Sequence, residues 1–155
     1  MKIHWKFLFM FAILILMIGF VLYSNKREKD TQRIQLISIL SNAVELSSGD
    51  KTQTVNFSKI APFSWEKVYF FRPYTSHKRI DSILGRFWLT SRFTHIETSD
   101  RITLIVFVHN QSVIQFIEFP RGQGDFSTLD NDMGYLREDA VFSADDKGKL
   151  HWISP

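Results

Sequence analysis

The chain has 155 residues, enough for one domain and a short additional segment. It contains no cysteine, which excludes disulfide bonds, thiol catalysis and cysteine-based zinc sites. Its net charge of +3 comes from residues 1–30, which hold five Lys or Arg against two Asp or Glu, whereas residues 31–155 hold fourteen of each. Because the rest of the chain lacks a basic excess, we expect no nucleic-acid partner.

The first predicted element is a transmembrane helix. Phe7–Tyr23 is a run of seventeen residues without a charge or a proline, and it follows a short, positively charged head. As a helix it would span about 25 Å, close to the ~30 Å hydrocarbon core of a bilayer. We predict an uncleaved anchor at 1–24 and a charged linker at 25–30. The alternative is a cleaved signal peptide, although no small-x-small pair precedes Ser24.

The orientation of this anchor depends on its flanking charges. Lys2 and Lys6 lie on one side and Lys26, Arg27 and Lys29 on the other, so the positive-inside rule hardly discriminates. A short head before a signal-like segment normally stays in the cytoplasm. We therefore predict a cytoplasmic N-terminus, with a domain at 31–155 outside the cytoplasm.

An amphipathic helix is predicted next, over Thr31–Ser48. Leu36, Leu40 and Val44 recur at helical spacing, Asp30 or Thr31 suits the N-cap, and the polar, glycine-containing segment 47–50 suits the end. Such a helix either lies over a sheet or presents its apolar face to a membrane surface or a partner.

The segment 62–85 predicts a central strand and a short helix. Residues 66–71 are apolar on both faces at mid-strand, which is typical of an inner strand covered on both sides. Pro73 ends the strand because it has no N–H for the sheet. Thr75 or Ser76 can cap the following helix, and Gly85 suits the position just past its end.

The remaining segments predict an antiparallel sheet. Thr52–Ile60 suits an edge strand, Phe87–Thr98 another strand, and residues 102–108 and 113–119 a hairpin. Segments 140–143 and 149–153 suit a final pair of strands around a glycine-containing turn. The fold class is therefore α+β, with helices packed on an antiparallel sheet of about 4–6 strands. We expect its core to contain Trp65, Val68, Phe70, Leu104 and Val106.

The segment Phe63-Ser-Trp-Glu-Lys-Val-Tyr-Phe-Phe-Arg-Pro-Tyr-Thr75 resembles a motif of small, largely uncharacterised bacterial envelope proteins. In these proteins the motif leads into a helix ending in Leu-Gly, and segments 104–108 and 117–126 are similar to the rest of the pattern. The resemblance covers roughly residues 55–145. It implies a membrane- or lipid-tethered domain outside the cytoplasm and no known activity. Because the chain has no cysteine for lipid attachment, the tether would be the transmembrane helix at the bacterial inner membrane.

No catalytic or metal-binding motif is present in the sequence. The five histidines are scattered, and no nucleophile elbow occurs. Gly122-Gln-Gly124 follows a strand as a phosphate loop would, but no amphipathic helix follows it. Asp130-Asn-Asp132-Met-Gly134 resembles the start of a calcium loop, yet its glycine comes one position early. We therefore expect no enzymatic activity and no cofactor or metal.

Charge is unevenly distributed along the predicted domain. Six Lys or Arg and one acid lie between Lys67 and Arg92, whereas eight acids and two arginines lie between Glu118 and Asp146. Cations in the first turn of the helix after Pro73, beside free N–H groups, suit an anion or a partner's carboxylates. In the alternative, these side chains extend into water or pair with the acidic segment. The candidate residues are Arg72, Tyr74, Thr75, Ser76, Lys78 and Arg79.

The sequence therefore favours a single-pass, membrane-anchored interaction module outside the cytoplasm. Its partner would be a protein or an anionic envelope component, in addition to the membrane itself through Phe7–Tyr23. Two alternatives stay open. One is an immunity-type protein that neutralises an envelope-acting toxin, and the other is an enzyme that uses a carboxylate or a histidine which spacing does not reveal.

Overall fold

The computed structural model describes residues 3–50 and 52–153, with the side chains of residues 3–6 left out. Met1 and Lys2 of the predicted positive head, Lys51, and the last two residues of the predicted domain thus lie outside the described part. The chain divides into two compact units, one ending at Ile34 and the other beginning at Gln35. The predicted division into 1–24, 25–30 and 31–155 stays a prediction.

Helix α1 runs without interruption from Ile3 to Gly49. Its apolar part, Phe7–Tyr23, is exposed, and the helix is long and apolar enough to cross a membrane. The predicted linker at 25–30 is helical, and no separate helix begins at Thr31. Polar side chains there pair along the helix: Gln32 donates to Glu28 four residues earlier, and Arg33 pairs with Asp30 at 2.8 Å. Pairs at this spacing stabilise a helix, so a charged segment continues it.

The second unit confirms the α+β class. Its strands form two antiparallel sheets, with the orders β4-β3-β2-β5 and β1-β6-β7, rather than the single sheet predicted. The strands are β1 (Val55–Asn56), β2 (Lys67–Phe71), β3 (Ile102–His109), β4 (Ser112–Pro120), β5 (Tyr135–Leu136), β6 (Val141–Ala144) and β7 (Leu150–Trp152). Two further helices are α2 (Phe57–Ile60) and α3 (His77–Leu84), and 3-10 turns occur at Leu89–Phe93, Arg121–Gln123 and Ser127–Leu129.

Strand β2 lies inside the four-stranded sheet, as its two apolar faces predicted. It pairs with β3 along its whole length and with β5 at Lys67 and Val68. The β3–β4 hairpin is confirmed, and its two-residue turn places Asn110 and Gln111 at φ 48° and 57°. Two successive positive φ angles match the right-handed twist of the paired strands, which fixes their register.

The larger hydrophobic core lies on one face of this sheet and includes the three-stranded sheet. The phenyl ring of Phe57 contacts four other buried or half-buried rings. The predicted apolar stripe of α1 is buried in the same core. The last two strands were predicted, and β1 pairs with β6 to complete their sheet. Of the predicted edge strand Thr52–Ile60, only Val55–Asn56 is a strand, and Phe57–Ile60 forms helix α2 instead. The core contributions of the five residues predicted above are confirmed, since all are buried: Trp65, Val68, Phe70, Leu104 and Val106.

The second core covers the opposite face of the sheet and is closed by α3. The Ser76 side chain caps α3 by accepting from the Arg79 N–H at 3.2 Å, and Gly85 adopts the left-handed conformation at its end. The prediction of a strand at Phe87–Thr98 is wrong. Short local hydrogen bonds, such as Ser91 Oγ to Trp88 O at 2.8 Å, fold this segment into a 3-10 helix instead.

Arg121, just after β4, forms an ion pair with Asp125, whose backbone bridges to Lys149 just before β7, and this pair predicts a pH dependence of stability. Burial alone would raise the pKa of Asp125, but hydrogen bonds from Arg121 and Ser127 lower it from 3.8 to about 2. Since the pKa is lower in the folded state, the stabilisation is complete above the pKa of the unfolded chain and is lost as the pH falls towards 2. It amounts to about 2 kcal/mol.

We expect Asp125→Asn to lower the free energy of unfolding by about this amount at neutral pH and to flatten its pH dependence below pH 5. Urea titrations of the full chain in mild detergent at several pH values measure both effects. The exposed Asp146 provides a matched control as Asp146→Asn. If the free energy of unfolding of Asp125→Asn fell below pH 5 as steeply as that of the wild type, Asp125 would not be the source of this pH dependence.

Candidate functional site

The two arginines of the predicted anion site converge on one carboxylate. Arg72 Nε lies 3.4 Å and Arg79 Nη2 3.3 Å from the side chain of Asp130, which is 7% exposed. Arg79 also pairs with Asp132 at 2.8 Å. This arrangement corresponds to the alternative in which the cations meet the acidic segment. Anion binding there stays a prediction, and any anion would compete with Asp130 for both guanidinium groups.

The other residues of that predicted site are not brought together in one cluster. The Thr75 hydroxyl donates to Arg72 O at 2.7 Å and is buried, while Ser76 caps α3. Tyr74 is exposed at φ 63°, and Lys78 is exposed on α3. Thr75 and Ser76 therefore have structural hydrogen bonds that account for their hydroxyl groups.

The surface of this unit also has a cleft of about 760 Å³ beside the central strand, which we call the β2 cleft. Its floor comes from β2 and β3, one wall from the end of α3, and the other wall from β5 and the residues after it. Its lining residues are Trp65, Glu66, Lys67, Tyr69, Ile83, Leu84, Gly85, Val108, Gln111, Leu136, Arg137 and Glu138.

The floor of the β2 cleft follows from strand alternation. Lys67 and Tyr69 project from the same face of β2, and the Lys67 ammonium lies 6.0 Å from the centre of the Tyr69 ring. Val108 is paired with Lys67 across the sheet, which adds an apolar neighbour. Burial raises the pKa of the Tyr69 hydroxyl above its ordinary value. Like any tyrosine hydroxyl it is protonated at neutral pH and can donate a hydrogen bond.

One end of the cleft is fixed by Trp65 and Arg137. Trp65 is 2% exposed, and the Arg137 guanidinium lies 5.3 Å from the centre of its ring. The same guanidinium donates to Phe63 O at 3.3 Å and Ser58 O at 3.4 Å, which holds it in place. The Trp65 indole Nε1 is buried and has no acceptor among the described residues. An unmade bond of this kind costs stability, so it is unusual in a purely structural tryptophan.

Charges of both signs surround the opening. Glu66 accepts a hydrogen bond from Asn110 N at 3.0 Å and remains half exposed, and Glu138 is exposed beside Arg137. Lys67 supplies a second cation. An apolar interior with a few fixed polar groups at its edge is the usual form of a binding pocket. The β2 cleft can therefore accept an apolar side chain of a ligand that carries charged groups on either side of it.

A second cavity of about 600 Å³ lies on the other side of β5 and shares Lys67 and Leu136 with the β2 cleft. Met133 and Trp152 line it and are exposed, at 76% and 45%. Leu136 therefore stands between two concave surfaces. Within the described residues, no group of three His, Asp or Glu side chains is placed to hold a metal ion.

The β2 cleft was not predicted as a site, although the segment 63–75 supplies part of it. Trp65, Glu66, Lys67 and Tyr69 all belong to the segment 63–75. The alternation of polar and apolar residues there could have indicated a strand with one partly open face. No sequence signal shows that Leu136 and Glu138, some seventy residues later, complete the wall.

Comparisons with known proteins add no family to this geometry. No family model, curated protein or solved structure matches the chain.

Proposed function

We propose that this protein is a single-pass, membrane-anchored module whose domain lies outside the cytoplasm and binds a partner protein in the β2 cleft. The membrane is the bacterial inner membrane, and α1 provides the anchor through Phe7–Tyr23. The domain acts by binding, without catalytic activity and without a nucleic-acid ligand. The resemblance of segment 63–75 to envelope proteins supports this location.

The observation that carries the proposal is the combination of two features in one short chain. One is a helix that exposes a long apolar surface and is able to span a bilayer. The other is a cleft with mainly apolar walls, a rigid aromatic end and charges of both signs at its opening. Such a cleft favours a protein that inserts an apolar side chain and places charged neighbours against Lys67 and Glu138.

The anchoring is tested on the full chain expressed in bacteria. It should remain in the membrane fraction after alkaline extraction, and alkaline phosphatase fused to its C-terminus should be active. N-terminal sequencing should return the original start. A soluble chain, or an inactive phosphatase fusion, would contradict this part of the proposal.

The role of the cleft is tested with Leu136→Glu. Leu136 is 44% exposed, so a charge there changes the cleft wall with little effect on stability, typically within about 0.5 kcal/mol. Leu46, 64% exposed on α1, provides the matched control Leu46→Glu. We expect a protein that is captured from solubilised membranes by the wild type and by Leu46→Glu to be lost with Leu136→Glu. Equal capture by all three chains would contradict binding in the cleft.

A further inference from the structure

The segment between α3 and β3 exposes three large apolar side chains within seven residues. Phe87 is 65%, Leu89 59% and Phe93 77% exposed, and we call this surface the apolar loop 87–93. Single exposed apolar residues are common on protein surfaces, but three large ones in one short loop point to an interaction site. It does not belong to the β2 cleft, whose lining contains none of the three.

The loop is held in place, so this exposure is built into the fold. Trp88 and Ser91 are buried between the exposed residues. Asp81 of α3 accepts hydrogen bonds from Trp88 N and Arg92 Nη1, both at 2.9 Å, and also pairs with Arg92 Nη2. The backbone is thereby fixed at two points, while the side chains of Phe87, Leu89 and Phe93 project from it.

The charges beside the loop indicate what covers it. Two arginines, Arg86 and Arg92, lie in or beside the loop; Arg92 is paired with Asp81, so among the described residues Arg86 supplies the uncompensated charge. Arg86 donates only to the neutral groups Gln111 O and Ser112 Oγ in the described part of the chain, each at 2.9 Å, so its positive charge is not compensated there. The Arg92 guanidinium stacks 4.6 Å from the centre of the Phe87 ring. Aromatic rings next to arginine suit the boundary between acyl chains and anionic head groups.

We propose that the apolar loop 87–93 inserts into the surface of an anionic lipid bilayer. The inference rests on the proposed function, because the anchor brings the domain to the membrane. The segment between Tyr23 and Gln35 has eleven residues and, as part of helix α1, spans about 17 Å. This confinement gives the loop a high effective concentration at the lipid surface, so a weak insertion suffices.

Fluorescent labels on single cysteines test the proposal, since the natural chain contains no cysteine. The full chain is reconstituted into vesicles of phosphatidylethanolamine and phosphatidylglycerol, and separately into phosphatidylcholine. An environment-sensitive dye is placed at Leu89→Cys. Met133→Cys, 76% exposed on a different apolar surface, is the matched control, and Ile15→Cys reports on the anchor.

We expect the dye at Leu89→Cys to shift its emission to the blue and to be quenched several-fold more by lipid-attached than by aqueous quenchers, mainly in the anionic vesicles. The dye at Met133→Cys should remain in water. A Leu89→Cys dye in water, with Ile15→Cys in lipid, would overturn the inference and leave the anchor intact. A blue-shifted Leu89→Cys dye that lipid-attached quenchers do not reach would overturn it in favour of a protein contact. An Ile15→Cys dye in water would overturn the proposed anchor itself.

Discussion

Replacing Phe57 by alanine is expected to lower the free energy of unfolding by about 4 kcal/mol, the largest effect of any single change considered for this chain. Phe57 is fully buried, and its ring centre lies 5.5 Å from those of Phe70 and Phe142. It also contacts Phe107 and Phe126, at 6.0 and 5.9 Å. The loss combines the transfer free energy of the ring with a cavity that several rings line and none can fill.

Denaturant titration of the full chain in mild detergent, followed by tryptophan fluorescence, measures this loss. Phe93→Ala is the control for removing the same group from a surface, since Phe93 is 77% exposed, and it should change stability by about 0.5 kcal/mol or less. If Phe57→Ala cost no more than Phe93→Ala, the aromatic cluster would not be the main core of the unit.

Gly134→Ala is expected to cost about 3 kcal/mol, because two separate effects add. Gly134 has φ +65°, a conformation that disfavours a side chain. A Cβ atom there would lie 2.9 Å from Val68 O and 2.8 Å from Cε1 of the Tyr69 ring. Val68 belongs to the central strand, so its carbonyl cannot move without disturbing the pairing of β2 with its neighbours β3 and β5.

Gly85→Ala separates the two effects in the same titration. Gly85 has a φ of +64°, but a Cβ atom there would meet nothing within 4 Å. We expect it to cost about 1 kcal/mol for the backbone conformation alone. If both alanine variants lowered the free energy of unfolding equally, Val68 and Tyr69 would move to accommodate the added Cβ atom at Gly134 without an energetic cost.

Local patterns predicted the elements whose partners are near in sequence. The alternation in 102–108 and 113–119 fixes a hairpin because its strands are joined by two residues. Ser76 and Gly85 likewise mark the ends of α3. By contrast, β1 has only two residues and pairs with a strand that begins at Val141, so no local pattern shows that it joins the last two strands in a second sheet. The predicted strand at 87–98 fails because polar residues between the aromatic ones form hydrogen bonds to their own neighbours.

In the candidate site, too, the individual contacts between residues far apart in sequence were not predicted. Charge counting drew attention to Arg72 and Arg79, but a sequence does not reveal which carboxylate a long side chain reaches. In the structure both meet Asp130, which ties the loop before β5 to β2 and α3. The β2 cleft depends on Trp65, Leu136 and Ile83 meeting across three segments. Of these features, the sequence predicted only the two apolar faces of β2.

The pairing of β1 with β6 has a consequence for how the chain folds. Val55 is paired with Phe142, so the three-stranded sheet closes a loop of more than eighty residues, whereas β3 and β4 meet across a two-residue turn. Closing a long loop costs chain entropy before its contacts form, and such domains fold slowly. We therefore expect the hairpin to form early and β1 to dock late. A chain that ends before Val141 therefore leaves β1 without its partner strand and the Phe57 ring without Phe142, so folding of the core awaits nearly the whole polypeptide.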